Sequence, residues 1–245
     1  MNPLTLHVLA VVFLATLIRS SFGFGEALVA VPLLSLRLPV QVAVPLAVLL
    51  SITVAGMIVA QDWRHVQWRS AGSLVFFTLF GIPIGIELLK VATEGHIKMA
   101  LAIVLIGFSL YSLLGRMPAR LKSDRWIWLA GFGFAAGVFG GAFGMNGPPL
   151  VIYGSLRRWK PARFRATLQA YFLPASAVGF ICYWAAGLWV AMVTRYYLLS
   201  LPMVILAVLL GRIVNRRLRG RSFFAFVYLG LIVIGVTLLV QAVSR

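Results

Sequence analysis

The chain has 245 residues, of which 62% are hydrophobic and only 11% charged, whereas an average soluble domain carries about 25% charge. That much apolar surface excludes a water-soluble globular fold and points to a protein solvated by lipid. Its 22 Lys and Arg stand against 5 Asp and Glu, a net charge of +17. They fall in short stretches between apolar runs, as the positive-inside rule and attraction to anionic headgroups produce, rather than in one nucleic-acid-binding face.

In chain order the apolar runs cover residues 4–22, 27–36, 40–60, 71–89, 97–114, 126–142, 148–156, 164–189, 196–211 and 223–243. Most approach the roughly 17–25 residues that cross about 30 Å of hydrocarbon. The runs 27–36 and 148–156 are too short at about 1.5 Å per residue. No polar stretch between runs is long enough to be a domain, so the expectation is one all-α polytopic membrane domain over 1–245. The N-terminus lacks the positive region of a cleaved signal peptide and reads as the start of the first helix.

Each short run follows a glycine-rich interruption. The first is Phe22-Gly23-Phe24-Gly25-Glu26, and the second runs from Phe139-Gly140-Gly141 through Gly144-Met145-Asn146-Gly147 to Pro148-Pro149. Sliding Phe24-Gly25 forward by 119 residues places it on Phe143-Gly144. Pro39 then corresponds to Pro161, Gly56 to Gly179 and Gly81 to Gly211, in the same order. The pattern predicts two four-segment repeats, 1–115 and 125–245, each with a glycine-broken or re-entrant helix. Paired interruptions of this kind mark the binding sites of secondary transporters.

Charge then bears on topology. Continuous broken spans divide the loop cations 13 to 8, and re-entrant hairpins divide them 16 to 5, with Arg19 left out of both counts. The positive-inside rule favours hairpins and inverted halves. Both arrangements put the two termini outside. Tryptophans and tyrosines near the ends of runs (Trp63, Trp68, Trp126, Trp128, Trp159, Tyr196) read as interfacial anchors.

The residues after each break start a short helix whose free amides carry about half a positive charge and favour anions. Asn146 stands where a helix cap is expected, with Pro148 in the first turn. Gly23, Gly25, Gly141, Gly144 and Gly147 let backbone approach a ligand, and Ser21 lies beside them. Gly81 and Gly85 read instead as a helix-packing pair. Arg19 and Glu26 are charges inside apolar sequence, which cost about 2.5–3.5 kcal/mol or more and line pathways or pair. Two readings stand: Arg19 attracts an anionic substrate while Glu26 takes up a proton, or the two form a structural ion pair. Gln169 is a candidate donor to an oxyanion, and Thr167, Tyr171, Ser51 and Thr53 are weaker ones.

No metal or cofactor site is expected. Cys182 is the only cysteine, and His7, His65 and His96 show no ligand spacing. Catalytic and nucleotide-binding motifs are missing as well, which argues against an enzyme and against ATP-driven transport.

At the two breaks the chain resembles the sulfite exporter TauE/SafE family, through the segments from Gly23-Phe24-Gly25-Glu26 to Pro32-Leu33-Leu34 and from Gly137-Val138-Phe139 to Pro148-Pro149. It departs from the family's consecutive glycines by carrying Glu26-Ala27 and Met145-Asn146. The resemblance implies a multi-pass permease of the bacterial inner membrane that moves small anions, commonly sulfite or organosulfonates, by a secondary mechanism. Membrane lipids are the other expected partner. The alternatives weighed against it are a membrane enzyme acting on lipid headgroups, a passive anion channel and a non-catalytic scaffold.

Overall fold

A computed structural model describes residues 2–62, 66–114, 121, 125–217 and 221–243. Among these residues it holds ten helices and no strand. They are α1 (Pro3–Phe22), α2 (Glu26–Ser35), α3 (Val40–Asp62), α4 (Trp68–Val91), α5 (Glu94–Leu114), α6 (Trp126–Phe143), α7 (Gly147–Leu156), α8 (Pro161–Ala185), α9 (Ala191–Arg217) and α10 (Arg221–Val243). Seven of the described helices are long and apolar enough to cross a membrane, while α2 is a shorter apolar helix. The chain is thus an all-helical, polytopic membrane protein. The basic residues Arg64, Arg116, Arg120, Lys122, Arg219 and Arg245, with His65, lie outside the described residues.

Two helices stop on glycine. Gly23 has φ +86° and its amide donates to Arg19 O at 2.6 Å; Gly144 has φ +65° and donates to Gly140 O at 2.9 Å. Both are left-handed caps, a backbone conformation that a Cβ disfavours. The chain then turns back. His7 Nε2 lies 3.0 Å from Leu33 O, and Thr16 Oγ1 donates to Glu26 Oε1 at 3.2 Å, so α2 runs antiparallel alongside α1. Likewise α7 returns along α6: the rings of Phe132 and Tyr153 are 5.5 Å apart, and Leu156 O accepts from Leu121 N just before α6 begins.

The most extensive helix contact joins α4 to α6. Glycine makes it possible. A Cβ at Gly81 would lie 2.9 Å from Gly137 Cα, and one at Gly85 would lie 2.8 Å from Gly141 Cα. The backbones therefore touch along small-residue faces, where dispersion must do what the hydrophobic effect does in water. The packing role read for Gly81 and Gly85 holds, and Gly141 joins them in it. Helix α9 packs on α1 in a similar way, with Gly211 against Leu17 O and Ser20. Across the centre α3 crosses α8: Gly56 faces Leu173, Ser176 Oγ donates to Ser51 Oγ at 3.1 Å, and Gly179 faces Val48. Helix α5 packs on α10.

Of the aromatic anchors, Trp68, Trp126 and Trp128 are exposed, Trp159 is half-buried against the core, Tyr196 is buried and serves packing, and Trp63 lies outside the described residues. We expect Gly81→Ala and Gly137→Ala to destabilise the protein by about 1–3 kcal/mol, the range of overpacked cores. Gly107→Ala and Gly131→Ala, where a Cβ would meet nothing within 4 Å, should be neutral. Thermal midpoints of the purified protein in detergent distinguish the two pairs.

Candidate functional site

The two breaks meet. Arg19, Phe24, Gly25, Glu26, Ala27, Leu28 and Ser51 line one small cavity together with Gly144, Met145, Asn146, Gly147 and Phe172. Its volume is about 30 Å³, enough for about one or two waters. Ser51 stands at the centre of α3, and Phe172 lies midway along α8.

Arg19 is the hub. Its side chain is only 3% exposed, yet four donor contacts are met. Nε and Nη2 donate to Gln169 Oε1 at 3.3 and 2.9 Å, and Nη1 donates to Ser51 Oγ at 2.7 Å and to Glu26 Oε2. The last contact is a salt bridge with a carboxylate that is equally buried. The guanidinium also lies over the Phe172 ring, 5.0 Å from its centroid, a favourable cation–π placement. Glu26 occupies the first turn of α2, where the helix dipole favours a negative charge. Its other oxygen accepts from Thr16.

Gln169 ties the cation to the break. Its Nε2 donates to Gly23 O at 2.5 Å while its Oε1 accepts from Arg19. The second break is held from the same helix: Tyr183 Oη donates to Gly140 O and Gly141 O at 2.8 and 2.5 Å. Asn146 takes the N-cap position of α7, but its side chain makes no cap bond. Instead Nδ2 reaches back to Ala136 O at 3.2 Å and Tyr171 Oη at 3.4 Å. Gly140 leaves the space for it, since a Cβ there would lie 2.8 Å from Asn146 Cγ. Tyr171 continues to Thr78, which donates to Gly133 O.

Of the residues singled out from sequence, Arg19, Gly25, Glu26, Gly144, Asn146 and Gly147 share the cavity wall. Gln169 and Gly23 stand one hydrogen bond behind it. Ser21 and Gly141 do not line it: Ser21 donates to Leu17 O on its own helix, and Gly141 lies in the α4–α6 contact. Thr167 accepts from Gln67 N and Thr53 pairs with Tyr197, so neither reaches the site. Thr16, Phe172 and Tyr183 were not foreseen. A hydroxyl or ring inside an apolar run looks the same whether it packs or serves a break. Among the described residues no group of His, Cys, Asp and Glu could hold a metal ion.

The model of the sulfite exporter TauE/SafE family matches residues 8–238. The chain belongs to that family. It is also 28% identical, over 205 residues, to a probable sulfite/organosulfonate exporter TauE of Cupriavidus necator, covering 80% of this chain and 78% of the relative. No solved structure matches. As a TauE/SafE member the protein is a membrane transporter for small anions rather than an enzyme. A buried guanidinium between two helix N-termini is chemistry suited to such a cargo.

Removing one partner of a buried pair strands the other charge, at about 3–5 kcal/mol. Arg19→Met should therefore lower stability strongly, and Arg19→Met with Glu26→Gln should recover most of the loss. A double-mutant cycle of denaturation midpoints in detergent measures this coupling.

Proposed function

We propose that the protein is a secondary exporter whose substrates are sulfite, organosulfonates or related oxyanions, bound in the cavity between the two breaks. The observation that carries this reading is the convergence of both breaks and the buried Arg19 on one cavity in a member of an anion-exporter family. A sulfo group has three oxygens, and a guanidinium fork matches two of them. Free amides at the start of α2 and that of Gly147 in α7, where Pro148 and Pro149 carry no N–H, supply further donors with Ser51 and Gln169. The relative from Cupriavidus necator, a probable sulfite/organosulfonate exporter, supports the class of cargo.

We read α1–α5 and α6–α10 as inverted repeats over 1–115 and 125–245. Their helix ends recur at one offset: Phe22 and Phe143, Glu26 and Gly147, Ser35 and Leu156, Val40 and Pro161 each lie 121 residues apart. This pairs Gly23 with Gly144 and Gly25 with Asn146, two residues away from the match suggested by the Phe-Gly motif. Contacts exchange in the same sense. The pairing of α4 with α6 corresponds to that of α9 with α1. With hairpins in both halves, the positive-inside rule places residues 157–165 and 212–221 in the cytoplasm and both termini outside the inner membrane.

The cavity is too small for an oxyanion, so the two halves must part for substrate to enter, and rocking about it alternates access. In proteoliposomes we expect saturable uptake of labelled sulfite and methanesulfonate. Gly144→Leu should reduce it at least about ten-fold by filling the site and straining a positive φ. Uptake indifferent to Gly144→Leu and to the Arg19→Met/Glu26→Gln pair would remove the site. Arg125→Cys in a Cys182→Ser background should react with impermeant reagents from the cytoplasmic side only.

A further inference from the structure

The Arg19–Glu26 pair has a bearing on how transport is driven, and this step rests on the site proposed above. Of the five N–H groups of a guanidinium, four contacts are already taken by Glu26, Ser51 and Gln169. The adjoining space of about 30 Å³ admits water and nothing larger. The single N–H left over gives an incoming anion no fork to dock on, so to be held by two N–H groups of Arg19 the anion takes the place of the Glu26 carboxylate. Displaced but still ionised, that carboxylate would share one buried cation with a second negative charge, which a low-dielectric site penalises heavily.

We propose that Glu26 is an internal counter-anion whose protonation hands Arg19 to the substrate, so that one proton travels with each anion. The balance is simple. Glu26 gains a proton from the aqueous side and becomes a neutral acid, Arg19 keeps its charge throughout, and the anion replaces the carboxylate at Nη1. On release the anion leaves, the proton leaves, and the Glu26 carboxylate returns to Arg19. Thr16 suits both states. Its hydroxyl donates to the carboxylate now and can accept from the carboxylic acid after protonation.

The elements around the pair leave the proton to Glu26. Helix α3 presents Ser51, the α6–α7 junction presents Met145 and Asn146, and α8 presents Gln169 and Phe172, none of which titrates. The further charge on α8 is Arg165, whose side chain packs against Gly23. It remains a cation at any physiological pH. His7, also on α1, is at the far end of the hairpin with Leu33. A monovalent anion then moves without net charge. A divalent one carries one negative charge, whose exit an inside-negative potential assists.

The test uses the full chain in proteoliposomes with labelled methanesulfonate, which stays ionised at every working pH, and a pH dye trapped inside. For the wild type we expect one proton to enter with each anion. Flux at limiting substrate should rise with acid on the substrate side by up to about ten-fold per pH unit, the slope one linked proton allows. Whatever anion exchange Glu26→Gln retains should carry no proton signal and no pH slope. Wild-type flux without a dye response, or Glu26→Gln that still moves protons, overturns the coupling and leaves the site intact. Exchange by Arg19→Met/Glu26→Gln equal to that of Glu26→Gln overturns the site itself, and the coupling with it. The wild-type stoichiometry needs no variant and decides the question even where Glu26→Gln does not fold.

Discussion

Lipid offers no hydrogen bonds, so a helix that stops inside a membrane must have its released backbone groups met by the protein. Nearly everything at this site follows from that constraint. The carbonyl of Gly23 is met by Gln169 and that of Gly141 by Tyr183, which also reaches Gly140 O, while Asn146 leans back on Ala136 O inside α6. Two of these three side chains belong to α8, which thereby holds both breaks. Gln169 does more than satisfy backbone. The same amide that meets Gly23 presents its oxygen to Arg19, so the end of α1 and the direction of the guanidinium are set together.

The charged pair has to be judged against the cost of burying it. At about 4 Å and an effective dielectric near 20, opposite charges attract by about 4 kcal/mol, and each charge costs about 2.5–3.5 kcal/mol on insertion scales. Those terms leave a net cost of about 1–3 kcal/mol, which the hydrogen bonds to Thr16, Ser51 and Gln169 offset, in line with the near-neutral balance of buried pairs elsewhere. An interaction that contributes so little to stability is a poor staple but a good exchangeable contact. Replacing one carboxylate by another anion with similar oxygens changes the balance by a small amount.

Architecture was legible in the sequence because its causes are local. Apolar length identifies the spans, and glycine and proline inside such a run mark interruptions wherever the rest of the fold places them. Arg19 and Glu26 were legible for a related reason, since scarce charges in apolar sequence must find each other or a ligand. What sequence withholds is which face of a helix looks inward. Gly141 and Gly144 are one turn apart, yet one packs against α4 and the other turns the chain into the cavity. Asn146 reads as a cap, but Gly140 opens a space behind it and its amide reaches back along α6 instead. Gln169 and Tyr183 bond to backbone dozens to more than a hundred positions away, and no local pattern signals such partners.

The charges stand in one half only. At the offset set by the helix ends, the position matching Glu26 is Gly147, and the one matching Arg19 is Gly140. In the inverted repeat proposed above, two halves of different charge would not rebuild the same site on trading conformations. The proposed inward-open and outward-open forms would then be unequal in energy, with the empty protein resting mostly in one of them. Such a bias alters no equilibrium, but at limiting substrate it makes one face of the membrane load faster than the other.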